Sequence, residues 1–582
     1  MKRILAVLFA VLLLLAVFAG CGEGPVTPTS TSAATEAPAK TEAPAKTEAP
    51  AKTEAPANAE TPTSALPFAT DADGIATEAY EYPLPLDDTD EVISMWTSFY
   101  VEQYLPEEGY AAMELPTEVF NRTGVHVEYV SVSSAQRSEN FSVLIASDDL
   151  LDIMCSARSF YNGVWKDAIL EEKYFANLWD YRQYLPNYLY QVTKDGDKDT
   201  IKSCIPEKGL ITDIRELKAV LELTSGGFIR GDWLEDMGIS NKDINTFDDL
   251  HNVLTFFKIE ENCENPTTIL STIELSNTYE FVGYDTLPCC AGIRTQYVYN
   301  GQVCLSNTTE RDKELMTMLN QWFTEGLIDP NWMSYDNIPA IGDQLLTGKM
   351  GYISGTRATT MLSNASAIPE GETRGWEAVH RPLKYEGQTL HLGFYVSHTY
   401  WGSAAISSSC ENIPLACTWI DWRYSPEGEF LYGYGVQGLT WDYNENGDVV
   451  ISDFIRNHEA GWTMIMLIYA LNSIVEPGLY VNYAYNAPGN EIALDYLAQW
   501  DNVAHDNAYV YPSVITFTAE QNDILAQYGS DLESYLSENY LQFVDGSKPL
   551  SEWDSYVAEL NKIGLDQVLA VYQSAYDDFL KS

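Results

Sequence analysis

The sequence predicts an α/β fold, and three observations carry that expectation. The chain is 582 residues long, enough for more than one core. Its long apolar run lies at the very start. From about Asp90 onward, short apolar runs alternate with segments whose apolar residues recur at helical spacing. In chain order, "EVISMWTSFY" predicts a first strand and "HVEYVSV" a second, with a helical segment between them. "TFDDLHNVLTFFK" predicts a helix with Thr246 as N-cap, its apolar Phe247, Leu250, Val253, Leu254 and Phe257 on one face. "TERDKELMTMLNQWFTEGLIDP" predicts a helix stopped by Gly326 and then Pro330. The last stretch, from "SEWDSY" to "DDFLKS", predicts two helices parted at Gly564.

The opening "MKRILAVLFAVLLLLAVFAGC" sets Lys2 and Arg3 before an apolar run and small residues, ending on Cys21. It resembles a bacterial lipoprotein signal, in which the cysteine is linked to diacylglycerol and becomes the new N-terminus. Phe18 stands where that pattern usually has Leu. The alternative is an uncleaved membrane helix, but the run is shorter than the ~20 residues a span needs. "TEAPAK" then repeats at Thr35, Thr41 and Thr47 and ends as "TEAPAN" at Thr53. Such Pro- and Ala-rich sequence has too few large apolar side chains to form a core. Residues 1–21 are therefore read as the signal with its lipidated cysteine, 22–79 as a linker and 80–582 as the folded domain. Fully extended at ~3.1 Å per residue, the linker would reach on the order of 180 Å, a stalk across a cell wall.

Charge narrows the partners. With 33 Lys plus Arg against 84 Asp plus Glu the net charge is -51, which argues against nucleic acid or anionic lipid headgroups. Eight cysteines besides Cys21 permit 105 pairings, so their redox state stays open. No GxGxxG, P-loop, HExxH or GxSxG pattern stands in a strand and helix context that would support it.

Several stretches, in order, resemble the extracellular solute-binding lipoproteins of bacterial ABC importers, family 1, saccharide-type branch. "FNRTGVHVEYV" is similar to the segment after the family's first helix, and "IASDDLLDIM" to its "ASGD-PDI" corner. "GGFIRGDWLEDMGI" with the following "TFDDLHNVLTFFK" is the most specific match. "WFTEGLIDPNW", "LLTGKMGY", "WIDWRYSPEGEFLYGYGVQGLTWDYNENGDV" and "IGLDQVLAVYQSAYDDFL" continue the order, so the likeness covers roughly residues 90 to 582. The resemblance implies a two-lobed, periplasmic-binding-protein-like fold with a hinge and an interlobe ligand cleft. Lobe 1 is expected at about 90–215 plus 381–430, and lobe 2 at about 216–380 plus 431–582. It also implies a monomer that binds a saccharide, delivers it to ABC permease transmembrane subunits and makes or breaks no bond. Closure on the ligand would be a hinge motion.

A sugar offers apolar faces and a rim of hydroxyls, so its site needs aromatic platforms beside polar groups. The chain holds 14 Trp and 38 Tyr. The expected ligand contacts are Trp96, Tyr161, Trp165, Arg230, Asp232, Trp233, Tyr400 and Trp401, with Trp96, Trp165 and Trp401 foremost. Each has an ordinary alternative in packing, and Asp232 in capping a helix that starts at Trp233. No catalytic residue, cofactor or metal is expected. The 84 acidic residues make carboxylate pairs uninformative without geometry, and the seven His lack helical metal-ligand spacing. A surface-anchored glycoside hydrolase or polysaccharide lyase, and a stalked adhesin, are the rival functions.

Two segments bear on calcium. After "VLTFFK" this branch often carries a calcium-loop-like stretch, but "IEENCENPTTIL" here has no Gly and few oxygen ligands. "DYNENGDVVISD" from Asp442 nearly fits the calcium-loop template, yet strand-like flanks favour a hairpin with Asn446-Gly447 in a type I′ turn.

Overall fold

A computed structural model describes residues 66–99, 102–218, 225–268, 279–287, 296–334, 349–357, 375–392, 398–460, 462–470, 475–480 and 491–581. Cys21, Cys289, Cys290 and the "TEAPAK" repeats lie outside the described residues.

The first half is organised by a six-stranded sheet of order β13-β4-β10-β3-β1-β2. Its strands are β1 Val92–Thr97, β2 His126–Ser131, β3 Ile153–Cys155, β4 Ile214–Lys218, β10 Thr399–Ile406 and β13 Leu479–Tyr480. β1 runs parallel to β2 and β3, β13 parallel to β4, and β10 antiparallel to β3 and β4. All but β10 therefore end at one edge of the sheet, the edge at which β10 begins. Two-residue periodicity assigns the faces. Ile93, Met95, Ile153, Cys155, Ala404 and Ile406 face a core completed by Tyr188, Trp419 and Trp422. Trp96, Met154 and Ala405 face the other side, with Phe141 and Trp165.

The second half carries a three-stranded antiparallel sheet, β8-β5-β9, of β5 Ser225–Arg230, β8 Tyr352–Arg357 and β9 Trp376–Val379. A hairpin of β6 Gln296–Tyr299 and β7 Gln302–Leu305 stands apart from it. Ile229 of β5 joins the larger core, built with helices Phe247–Ile259, Glu310–Thr324, Ala519–Asp545, Trp553–Ile563 and Leu565–Lys581. Neighbouring Phe228 joins a smaller one with Leu383, Leu390, Leu392 and Trp500.

Local signals hold where they were strongest. Thr246 caps the helix Phe247–Ile259 in a capping box with Asp249, and the five expected apolar residues are its buried ones. Thr309 and Asp312 form the same box at Glu310–Thr324, and Gly326 takes the left-handed conformation just beyond (φ +69°). The final two helices part at Gly564, with φ +131°.

Three expectations need correction. The linker does not run to residue 79: residues 66–82 fold onto the first core. Ile75 and Ala76 are buried, Tyr80 N donates to Asn187 Oδ1 at 2.8 Å, and Tyr82 Oη donates to Asp421 Oδ2 at 2.7 Å. The lobe boundaries also shift. Leu383, Leu390 and Leu392 pack with Phe228 rather than with the six-stranded sheet, while Leu431, Tyr432 and Leu479 pack with that sheet. "DYNENGDVVISD" is a hairpin, β11 Trp441–Tyr443 against β12 Val449–Ile451, but its turn is not type I′. Gly447 alone of the turn has positive φ (+86°), and the Asn444–Asp448 and Gly447–Asn444 hydrogen bonds define a three-residue loop with Gly447 left-handed. Asn444 Oδ1 is already taken by the Asn446 and Asp448 amides.

Candidate functional site

The chain passes between its two cores at three places, and all three meet on adjacent strands. β4 leaves the first core after Lys218, β10 returns to it at Thr399, and β13 leaves again after Tyr480. They are in register: Leu217 faces both Thr399 and Leu479, and Lys218 faces Tyr480. This triple crossing is the hinge, at the sheet edge where β1 and β3 also end. In α/β folds that edge is where ligands sit.

Polar groups gather there. Thr97, the last residue of β1, donates to Glu476 Oε1 at 2.8 Å, and Glu476 Oε2 accepts from Arg423 Nη1 at 2.8 Å. Both members of this ion pair are about 1% exposed. Arg423 lies between the rings of Trp419 (4.4 Å) and Tyr432 (4.6 Å), so its charge is held by a carboxylate, the Pro477 carbonyl and two π-faces. Glu216 of β4 accepts from the Gly402 amide at 2.8 Å. Burial pushes its carboxyl up to about 8, further raised by Glu476 and opposed by Gly402 and Lys218. Gly402 is where the strands come closest: a Cβ there would meet the Glu476 carbonyl at 1.9 Å and Glu216 Oε2 at 3.0 Å. A small cavity opens beside them, lined by Glu216, Tyr432, Glu476 and Tyr480 among others.

The expected ligand contacts fall in three places. Tyr400 lies at the hinge, half-buried, its ring 5.2 Å from Tyr480 and 4.7 Å beneath the Lys218 ammonium. Trp401 follows it in β10. Trp96 is wholly buried on the opposite face of β1 from Thr97's neighbour Met95, its Nε1 donating to Asn140 Oδ1 at 2.8 Å. The Arg137 guanidinium covers its ring at 4.1 Å. Trp165 is in the same core, 5.8 Å from Tyr161, which keeps partial exposure. Arg230, Asp232 and Trp233 form a third group at the end of β5 farthest from the hinge, roughly 17 Å along the strand from Ser225. Arg230 makes a two-pronged ion pair with Asp232, and its guanidinium stacks 4.3 Å above Trp233. Arg230, not Asp232, occupies the N-cap position of the helix Gly231–Met237. Tyr400 and Trp401 thus lie on the crossing strand β10, Trp96, Tyr161 and Trp165 share one core, and Arg230, Asp232 and Trp233 gather with one another at the end of β5.

Sequence reasoning passed over Glu216, Gly402, Arg423 and Glu476. One signal was present: an isolated Gly inside the strand "YWGSAAIS" marks close backbone approach. Among the described residues, no group of three or more His, Cys, Asp or Glu is placed to hold a metal, and no helix is long and apolar enough to cross a membrane.

This architecture has close counterparts. The chain matches, at TM-score 0.63 and 17% identity, an extracellular solute-binding protein from Bifidobacterium longum subsp. infantis, covering 88% of this chain and all of that one. The fold is that of a two-lobed solute-binding protein. A human-milk-oligosaccharide-binding (HMO) solute-binding protein associated with an ABC transporter, from Bifidobacterium longum infantis, matches at TM-score 0.62 and 16% identity over 84% of this chain and 99% of that one. In sequence the chain is 24% identical over 488 residues to the fructooligosaccharide ABC transporter substrate-binding protein FusA of Streptococcus pneumoniae, covering 78% of this chain and 85% of that protein. No family model matches the chain.

Proposed function

We propose that the protein is the substrate-binding subunit of an ABC importer, anchored through a lipidated Cys21 on the extracellular face of the membrane and binding an oligosaccharide between its lobes. The observation that carries this reading is the triple crossing at Lys218, Thr399 and Tyr480. Three in-register strands at one sheet edge make a hinge, and a ligand touching both lobes would favour the shut state. The stacked pair Tyr400 and Tyr480 offers the flat apolar surface that a sugar ring takes, with Lys218 beside it. The sequence relative and the solute-binding neighbours, which handle fructooligosaccharides and milk oligosaccharides, support the same class. Its partners would be two permease subunits, and it would act as a monomer.

A glycoside hydrolase is the rival with a specific observation in its favour. Glu216 raised beside an ion-paired Glu476 has the look of an acid and base pair. Both carboxyls are buried, however, and both Glu476 oxygens are engaged by Thr97 and Arg423.

Thermal unfolding against kestose, milk oligosaccharides, monosaccharides and peptides tests the binding class. A ligand at a hundred times its Kd should stabilise the fold by about 2.7 kcal/mol. A shift with peptides and none with any sugar would overturn the saccharide reading, and hydrolysis of a shifting sugar would overturn the binding role. For the anchor, Cys21→Ala should release the protein into the medium.

A further inference from the structure

The hinge contains a carboxyl group that the binding reading does not use. Glu216 lies on β4 two residues before the chain leaves the first core, and its side chain is capped by the Gly402 amide of β10. It is 5% exposed. The charged and titratable groups around it come from every packed element. Lys218 follows on β4 itself, and Glu476 comes from the third crossing segment. Arg423 and Tyr424 come from the end of the helix Ile413–Trp422, and Tyr432 from the helix Pro426–Tyr434. The one guanidinium in this set, Arg423, is already committed to Glu476 and the Pro477 carbonyl. Tyr480 of β13 lines the same cavity, and Lys218, whose ammonium lies over the Tyr400 ring, offsets the charge only in part, so ionised Glu216 would add a second negative charge beside Glu476.

We propose that Glu216 is a positioning residue of the hinge: its buried carboxyl, accepting the Gly402 amide, ties β4 to β10 beside the 475–480 segment, and ionisation of that carboxyl in water favours the parted strands. Burial raises Glu216 to about 8 from the ordinary 4.5, so opening and ionisation are linked. Between those values the open hinge ionises and the closed hinge does not. Opening is thus favoured as pH rises through that window, and the hinge is stiffest in mild acid.

Hydrogen exchange of the full-length chain tests this without any ligand. The hinge peptides 214–218, 399–403 and 475–480 are followed from pH 5 to 9 after correction for intrinsic exchange, with the helix Ala519–Asp545 as internal control. Hinge opening should rise by up to about tenfold per pH unit between about 5 and 8, and level off above that. Glu216→Gln should keep the hinge at its acid value throughout. A wild-type hinge whose pH dependence matches the control helix would overturn the proposal. So would a Glu216→Gln chain with the wild-type profile. Should that variant fail to fold, the wild-type comparison alone decides.

Discussion

The two halves of the molecule use their buried carboxylates differently. In the first, buried hydrogen bonds join segments far apart in sequence: Thr97 with Glu476, and Tyr82 and Asn187 with Asp421, whose oxygens also accept the Tyr188 amide. In the second, the buried carboxylate Asp312 serves chiefly its own helix start, through Thr308 and Thr309, with one further bond from Thr286. Its distant segments are tied instead by neutral side chains that donate to backbone carbonyls, Tyr556 Oη to Asn307, Trp500 Nε1 to Gly227 and Gln388 Nε2 to Gly283, and by apolar packing among helices. The difference shows where a buried charge is used to fix geometry. Apolar contacts are non-directional and hold a scaffold, whereas a buried hydrogen bond fixes orientation and is expensive to leave unmade.

Substitutions can break this contrast. Glu476→Ala strands the Arg423 charge in a dry site, and denaturant unfolding should show a loss of about 4 kcal/mol. Replacing both partners by apolar residues should recover most of it; a single and a double variant of equal stability would sink the idea that the pair acts as a unit. Leu319→Ala, in the second core, should cost about 3 kcal/mol through its cavity.

Glu216→Gln should act in the other direction. A carboxyl raised in the fold contributes stability that is full below its unfolded value and lost as pH rises toward its folded one. Above about pH 5 the Gln variant should therefore gain on the wild type, on the order of 1 kcal/mol per pH unit until about pH 8. Equal melting curves at pH 5 and pH 8 would contradict this. Thr246→Ala removes one cap and should cost about 1 kcal/mol at any pH. Least of all, Glu559→Gln breaks an exposed pair with Lys562 and should leave the melting temperature within error.

What could be read beforehand follows the same divide. Caps, left-handed glycines and helical periodicity are local, and Thr246, Gly326 and Gly564 stood where the sequence placed them. The two lobes came from resemblance, and the pattern alone could not have drawn their borders. Leu383, Leu390 and Leu392 lie with the second half, and Leu431, Tyr432 and Leu479 with the first, and a strand as short as β13, two residues long, leaves no periodic signal to show it. The site was harder still. Alternation along β1 separates Trp96 from Met95, but it does not say which face is covered by a helix and which end meets the cleft. Residues 66–79 were missed because one isoleucine, Ile75, in a polar stretch gives no periodic signal, although its burial beside Leu178 and Tyr188 anchors the segment.

That segment also gives the domain a fixed point of entry for the chain. Arg182 donates to the Asp73 carbonyl at 2.9 Å, Lys208 pairs with Asp73 at 2.5 Å, and Tyr82 reaches Asp421 beneath. None of these three contacts involves β4, β10 or β13, so the seat of the entering segment is separate from the strands that cross between the cores.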